Sequence, residues 1–348
     1  MKILSARFML VSFTLIAFVL QAGRGWAQSA GTNTENPCAN LPQTDAPQAT
    51  LSNGLINALI YPPDPLHGYY RSTRFDWAGV IPCLAYKGHT YFGAWSPNHN
   101  PLVADSIAGP VEEFRSEDGS LGYVDAISGD LFVKPGVGVL RKISDAAYKY
   151  QFVYPIVDTG KWTTRSKRSE ISFTQKLHST VGYSYVYTKT LLLEKNEPIM
   201  VMQHHLKNTG VKVIDTDVYE HDFFMLDNAP TGPGMVIHFA FEPKATRPLQ
   251  HGGEIVGKDI VYHEELAATG RGAVTSFLTG FSNNASDYDF TLENRNTGVG
   301  VEQSGDSPMS NFNLWSVRTT IAPEAYVHLH ILPGQTQSWN LRYRFFAK

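Results

Sequence analysis

The chain has 348 residues, with 29 basic and 32 acidic side chains, 12% aromatic residues, 29 glycines, 20 prolines and two cysteines. This charge balance gives no electrostatic footprint for nucleic acid or an anionic membrane, and two cysteines cannot build a cysteine-rich zinc site. No G-x-S-x-G elbow, P-loop, strand-linked G-x-G-x-x-G or H-E-x-x-H occurs, which argues against the common hydrolase, nucleotide-binding and zinc-protease readings.

Residues 1–27 read as a targeting segment: Lys2 and Arg7 make a basic start, 8–20 an apolar run, and Gly25-Trp26-Ala27 a small-residue cleavage site. The run is short for a membrane span, which needs about 20 residues. The expectation is an exported protein, periplasmic or secreted, with no stable membrane insertion after cleavage; the alternative is an uncleaved anchor, since Arg24 follows closely. Cleavage leaves 26 basic against 32 acidic residues.

Residues 28–50 are polar, contain proline and lack periodicity, so they read as a flexible leader. One domain is expected over 51–348, where no linker composition interrupts the chain. Within it, 55–61, 80–86, 148–157, 169–178, 183–193, 199–206 and 215–226 are short, rich in β-branched and aromatic residues, and bounded by turn formers. The theme continues at 236–241, 274–281, 289–294, 314–320, 326–332 and 340–346, and no stretch sustains a helical period. The class is therefore all-β: a single domain built as a large antiparallel β-sandwich. Cys38 and Cys83 can join in an exported chain, but sequence leaves the pairing open.

Several residues carry chemical interest. The period of two puts Tyr183, Tyr185, Tyr187 and Lys189 on one strand face, suited either to sugar stacking or to a plain amphipathic surface with Lys189 reaching solvent. Arg165, Lys167 and Arg168 read as a solvated loop, and Glu112-Glu113 as loop carboxylates capping backbone amides, with a catalytic role as the alternative. His204-His205 and His328-x-His330 could bind metal, the second pair sharing a strand face. No carboxylate or third histidine is identifiable beside them in sequence, so no metal site and no cofactor are expected.

The densest set of ionisable groups and aromatics runs from 213 to 233, where His221 sits between Glu220 and Asp222 ahead of two phenylalanines. Glu324 follows Pro323 just ahead of the strand expected at 326–332. The order of four segments resembles the galactose mutarotase (aldose 1-epimerase) superfamily: Leu51-Ser52-Asn53-Gly54-Leu55, Leu206-Lys207-Asn208-Thr209-Gly210, the segment from Tyr219 to Phe224, and the ending Leu332-Pro333-Gly334 with Trp339, Tyr343, Arg344 and Phe345. That resemblance implies a mutarotase-like supersandwich, a small-molecule sugar or sugar terminus as ligand, and acid–base chemistry without cofactor. Glu324 would be the base at the anomeric hydroxyl and His221 the acid at the ring oxygen. Arg74 and Asp227 would bind sugar hydroxyls. The sequence lacks a clean Asn-Arg pair after the first strand and a match for the family's second histidine. A non-catalytic sugar-binding sandwich and a polysaccharide lyase stay open as alternatives.

Overall fold

The computed structural model describes Cys38 and residues 44–95, 98–116, 118–268 and 272–348. The expected targeting segment, and most of the leader, lie outside the described residues. Apart from two three-residue 3-10 turns, Leu226–Asn228 and Ala285–Asp287, every regular element among the described residues is a strand, and no helix there is long and apolar enough to cross a membrane.

The fold is an all-β, antiparallel sandwich. Its larger sheet has ten strands, in the order Gly253–Val256, Asp259–Tyr262, Met235–Phe239, Asp289–Asn294, Val299–Gly305, Thr336–Ala347, Ile199–Asn208, Tyr185–Leu193, Glu170–Leu177 and Lys161–Ser166. The smaller sheet has six: Lys244–Ala245, Val274–Thr279, Asn311–Val317, Thr320–Ile331, Ile214–His221 and Val111–Phe114. A four-stranded sheet starts at Ala49–Ser52, and a three-stranded one comprises Leu131–Lys134, Gly138–Arg141 and Ile156–Asp158.

Alternation drives the packing. In Tyr185–Leu193 every second residue is buried and its neighbours are only partly so, the pattern of a strand with one face on a core. Thr320–Ile331 departs from this, with its first eight residues all buried. One face of that stretch meets the larger sheet, and the other forms the floor of a cavity. Phe114 packs edge-on against Tyr187 and Trp339 of the ten-stranded sheet, and Phe312 against Phe239 and Phe290, so the two sheets share one core.

That core contains charge. Glu112 and Glu113 are strand residues, not loop carboxylates, and they face opposite ways. Glu112 points inward, with Lys189 Nζ at 2.5 Å and His204 Nε2 at 2.5 Å; Lys189 and His204 are cross-strand partners on the facing sheet. Both readings of the tyrosine face are thereby corrected. Tyr185, Tyr187 and Lys189 are fully buried, binding Gln175, Asp76 and Glu112 through their polar tips. Burial would raise the Glu112 carboxyl, but Lys189 and His204 overcome it and hold it down at about 2. The carboxylate oxygens of its cross-strand neighbour Glu220 have no hydrogen-bond partner among the described residues, and burial and then the charge of Glu112 push that carboxyl well above its ordinary range.

Order begins earlier than expected. Ala46 is buried and a strand starts at Ala49, while Cys38, inside the expected leader, is joined to Cys83 with 5.7 Å between Cα atoms. The expected strand 148–157 is instead a loop in which Tyr148 and Tyr154 stack at 5.4 Å, ending in the short strand Ile156–Asp158. Arg165, taken for loop, lies in the strand Lys161–Ser166.

Candidate active site

The outer face of the six-stranded sheet carries the site. Ile214–His221 and Thr320–Ile331 pair with Asp215 opposite His330, Asp217 opposite His328 and Tyr219 opposite Tyr326. Continuing that register by two residues sets His221 opposite Glu324. On the other side, Asn313 pairs with Glu324, and the next strand places Thr275 opposite Trp315 and Phe277 opposite Asn313. Residues far apart in the chain thus form one continuous patch, because alternate residues on adjacent strands share a face.

His221 Nε2 lies 3.2 Å from Glu324 Oε1, on the floor of a cavity of about 580 Å³. Asn313 Nδ2 donates to Glu324 Oε2 at 2.8 Å. The imidazole stacks on Phe223 at 3.8 Å and is edge-on to Phe75 and Trp315, and its Nδ1 has no hydrogen-bond partner among the described residues. Burial pushes the Glu324 carboxyl up to about 7, while burial and then the nearby Arg74 charge push His221 well below its ordinary value. Both effects favour a pair carrying one proton, resting on the carboxyl side.

Arg74 lines the same cavity. Its Nε donates to Glu113 Oε2 at 3.0 Å, its Nη1 bonds Asp105, and its Nη2 donates to Tyr219 Oη at 3.2 Å, with the guanidinium 4.4 Å from the Phe75 and Tyr150 ring centres. Asp76, two residues along the chain from Arg74, accepts from Tyr187 Oη. Three of the five guanidinium N–H donors are committed, leaving two for a ligand. Under the floor, burial would raise Glu113; Lys134, Arg74 and Arg115 outweigh it and hold that carboxylate ionised.

Asp227 is a correction to the expected set. It does not line this cavity: its carboxylate accepts from the Thr90 backbone N–H at 2.9 Å and lies 2.8 Å from His89 Nδ1, pinning the 3-10 turn to the four-stranded sheet. Sequence reasoning missed Trp95, Trp315, Asn313 and Tyr219, which complete the walls. Asn313-x-Trp315 and Tyr219-x-His221 each show the period of two, and that was their available signal. Glu324 lies within a strand, not ahead of one.

A broad two-sheet antiparallel sandwich with a polar-aromatic cavity on its smaller sheet is the galactose mutarotase-like fold. Solved structures bear this out. The chain is similar to protein Slr1438 of Synechocystis sp. PCC 6803 (TM-score 0.53, 9% identity, covering 89% of this chain and 99% of that one). It is also similar to a galactose mutarotase-like protein of Clostridium acetobutylicum (0.53, 12%, 86% and 95%) and to the GalM/aldose epimerase homologue of C. elegans (0.51, 11%, 87% and 99%). At these identities the likeness is one of fold. No protein-family model matches the chain, and no curated protein matches it.

Proposed function

We propose that the protein is an aldose 1-epimerase-like enzyme that takes a free sugar or sugar terminus into the cavity and interconverts its anomers without a cofactor. The observation that carries this reading is the 3.2 Å contact between His221 Nε2 and Glu324 Oε1 at the base of an aromatic-walled cavity. The volume falls in the range of small-ligand sites. In the anomerisation of a pyranose, O1 and the ring oxygen O5 are both bonded to C1. A donor and an acceptor in contact with each other can therefore address both.

Glu324 takes the O1 proton as C1=O1 forms and the C1–O5 bond breaks, and O5 takes a proton from His221 Nε2. Rotation about C1–C2 and the reverse transfers close the ring on the other face. The pair holds one proton throughout, as the desolvated site favours. The reactive tautomer of the one-proton pair has Glu324 ionised and His221 protonated, and opening converts it to neutral Glu324 with neutral His221, the arrangement that burial favours. The low-dielectric floor stabilises that second arrangement, and it thereby stabilises the open-chain state. Trp315 and Trp95 offer apolar faces for the C–H side of the sugar ring, and Arg74 offers its two remaining N–H groups to hydroxyls.

The proposed setting is an exported one: a disulfide such as Cys38–Cys83 is of the kind favoured in oxidising compartments, and it supports the targeting reading of 1–27.

The test is polarimetry on freshly dissolved α-glucose and α-galactose. Catalysed relaxation is expected, falling by about 10²–10⁴-fold in Glu324→Gln or His221→Ala. Aldoses that bind by calorimetry yet relax no faster than in buffer would replace the enzyme with a sugar-binding module.

A further inference from the structure

The two strands that bring His221 to Glu324 carry a second constellation on the same outer face, farther from the cavity. Asp215 and Asp217 on Ile214–His221 stand opposite His330 and His328 on Thr320–Ile331. Donor atoms of Asp215, His328 and His330 lie within 4.8 Å of one another, with His330 Nδ1 2.7 Å from Asp215 Oδ2 and His328 Nε2 3.8 Å from Asp215 Oδ1. His328 Nδ1 is 3.2 Å from Asp217 Oδ1, so Asp217 steadies the ring from the side opposite Nε2.

We propose that Asp215, His328 and His330 form a surface site for a divalent first-row transition metal of the Zn²⁺ type. Three features support it. The donors are two imidazoles and a carboxylate, a set that suits Zn²⁺, Ni²⁺ or Cu²⁺ and not Ca²⁺ or Mg²⁺. Metal–ligand bonds of about 2.0–2.2 Å put adjacent donors roughly 3 Å apart, so side-chain rotation alone can close the cluster around a cation. Asp215 also has no lysine or arginine side chain paired to it among the described residues, only the imidazoles of His328 and His330.

The scaffold is rigid beneath. Thr216, Val218, Leu329 and Ile331, the alternate residues of the same strands, are buried in the core. Gln337 links across to the His330 backbone N–H and the His328 carbonyl at 3.1 Å each, tying the histidine strand to Thr336–Ala347 of the ten-stranded sheet. All three ligands are half exposed, so the remaining coordination positions face water. A three-residue site with open positions binds metal without an all-protein cage. Tyr326 and Tyr219 separate this cluster from Glu324 and His221, so the site stands apart from the cavity chemistry.

The experiment titrates ZnCl₂ into untagged, chelator-stripped protein by calorimetry. Co²⁺ added to a second sample reports coordination through its visible absorption. The expected result is one Zn²⁺ per chain, weakened about tenfold or more by His330→Gln and by His328→Ala, with the Co²⁺ bands lost in both. Circular dichroism checks that each variant is folded, and Asp215→Asn provides a third arm that leaves both histidines in place. No stoichiometric binding, binding indifferent to all three substitutions, or Ca²⁺ bound as tightly as Zn²⁺ would each overturn the proposal.

Discussion

Replacing Glu324 by Gln removes an ionisation that the fold disfavours while keeping an acceptor for Asn313. A carboxyl with an ordinary value of 4.5, raised by burial to about 7, binds its proton more tightly in the native state than in the unfolded one. Its favourable contribution is complete below 4.5 and is lost as pH rises through about 7. At about 1.4 kcal/mol per pH unit across that interval, the ionised wild type gives up about 3 kcal/mol near pH 8. The variant is spared that loss. Thermal unfolding followed by circular dichroism at about pH 8 should place Glu324→Gln on the order of 5 °C above the wild type, with the two curves converging near pH 4.5. A variant less stable than wild type at the alkaline pH, or a difference independent of pH, would refute the claim that Glu324 is held in a desolvated, proton-retaining environment. Under the proposed function, that outcome would be a stability–activity trade-off at a buried carboxyl that serves as the base.

Lys189→Met should be among the more damaging single substitutions in the core, because it leaves Glu112 buried with His204 as its remaining charge partner. Urea denaturation should register a loss of about 3–5 kcal/mol, and a loss under about 1 kcal/mol would show that the inter-sheet ion pair is energetically idle. Reduction of the Cys38–Cys83 bridge, which spans 45 residues, should cost about 4 kcal/mol by chain entropy and lower the melting temperature by several degrees without changing the site.

The sandwich was legible because its strands advertise themselves. Val80–Tyr86 and Asp289–Asn294 have the bounds that alternation and turn residues suggest, and His221 and Glu324 were found as candidates without coordinates. What sequence could not supply was register. Tyr185, Tyr187 and Lys189 show the alternation of a half-exposed strand, yet the polar tips of the last two meet Asp76 in the loop before Val80–Tyr86 and Glu112 on the facing sheet, and only the tertiary packing reveals that. Glu113 looked like a loop acid because two of its cations, Arg74 and Lys134, come from separate segments of the chain, and only Arg115 is a near neighbour in sequence. The same blindness hid Asp215 and Asp217 from His328 and His330, which lie more than a hundred positions away in the chain and directly opposite in space. Asp227 lies outside the cavity for a local reason: its left-handed backbone (φ 52°) turns its carboxylate onto Thr90 and His89.

The central claim is that His221 and Glu324 act as one unit on the anomeric carbon, and a double-mutant cycle on anomer exchange measures this most directly. Exchange between α and β forms, read by NMR magnetisation transfer, should collapse toward the uncatalysed rate in His221→Ala and in Glu324→Gln. The double variant should be no slower than either single one, because half of a proton relay is worth no more than none. Single variants that keep wild-type exchange, or losses that multiply in the double variant, would contradict the account.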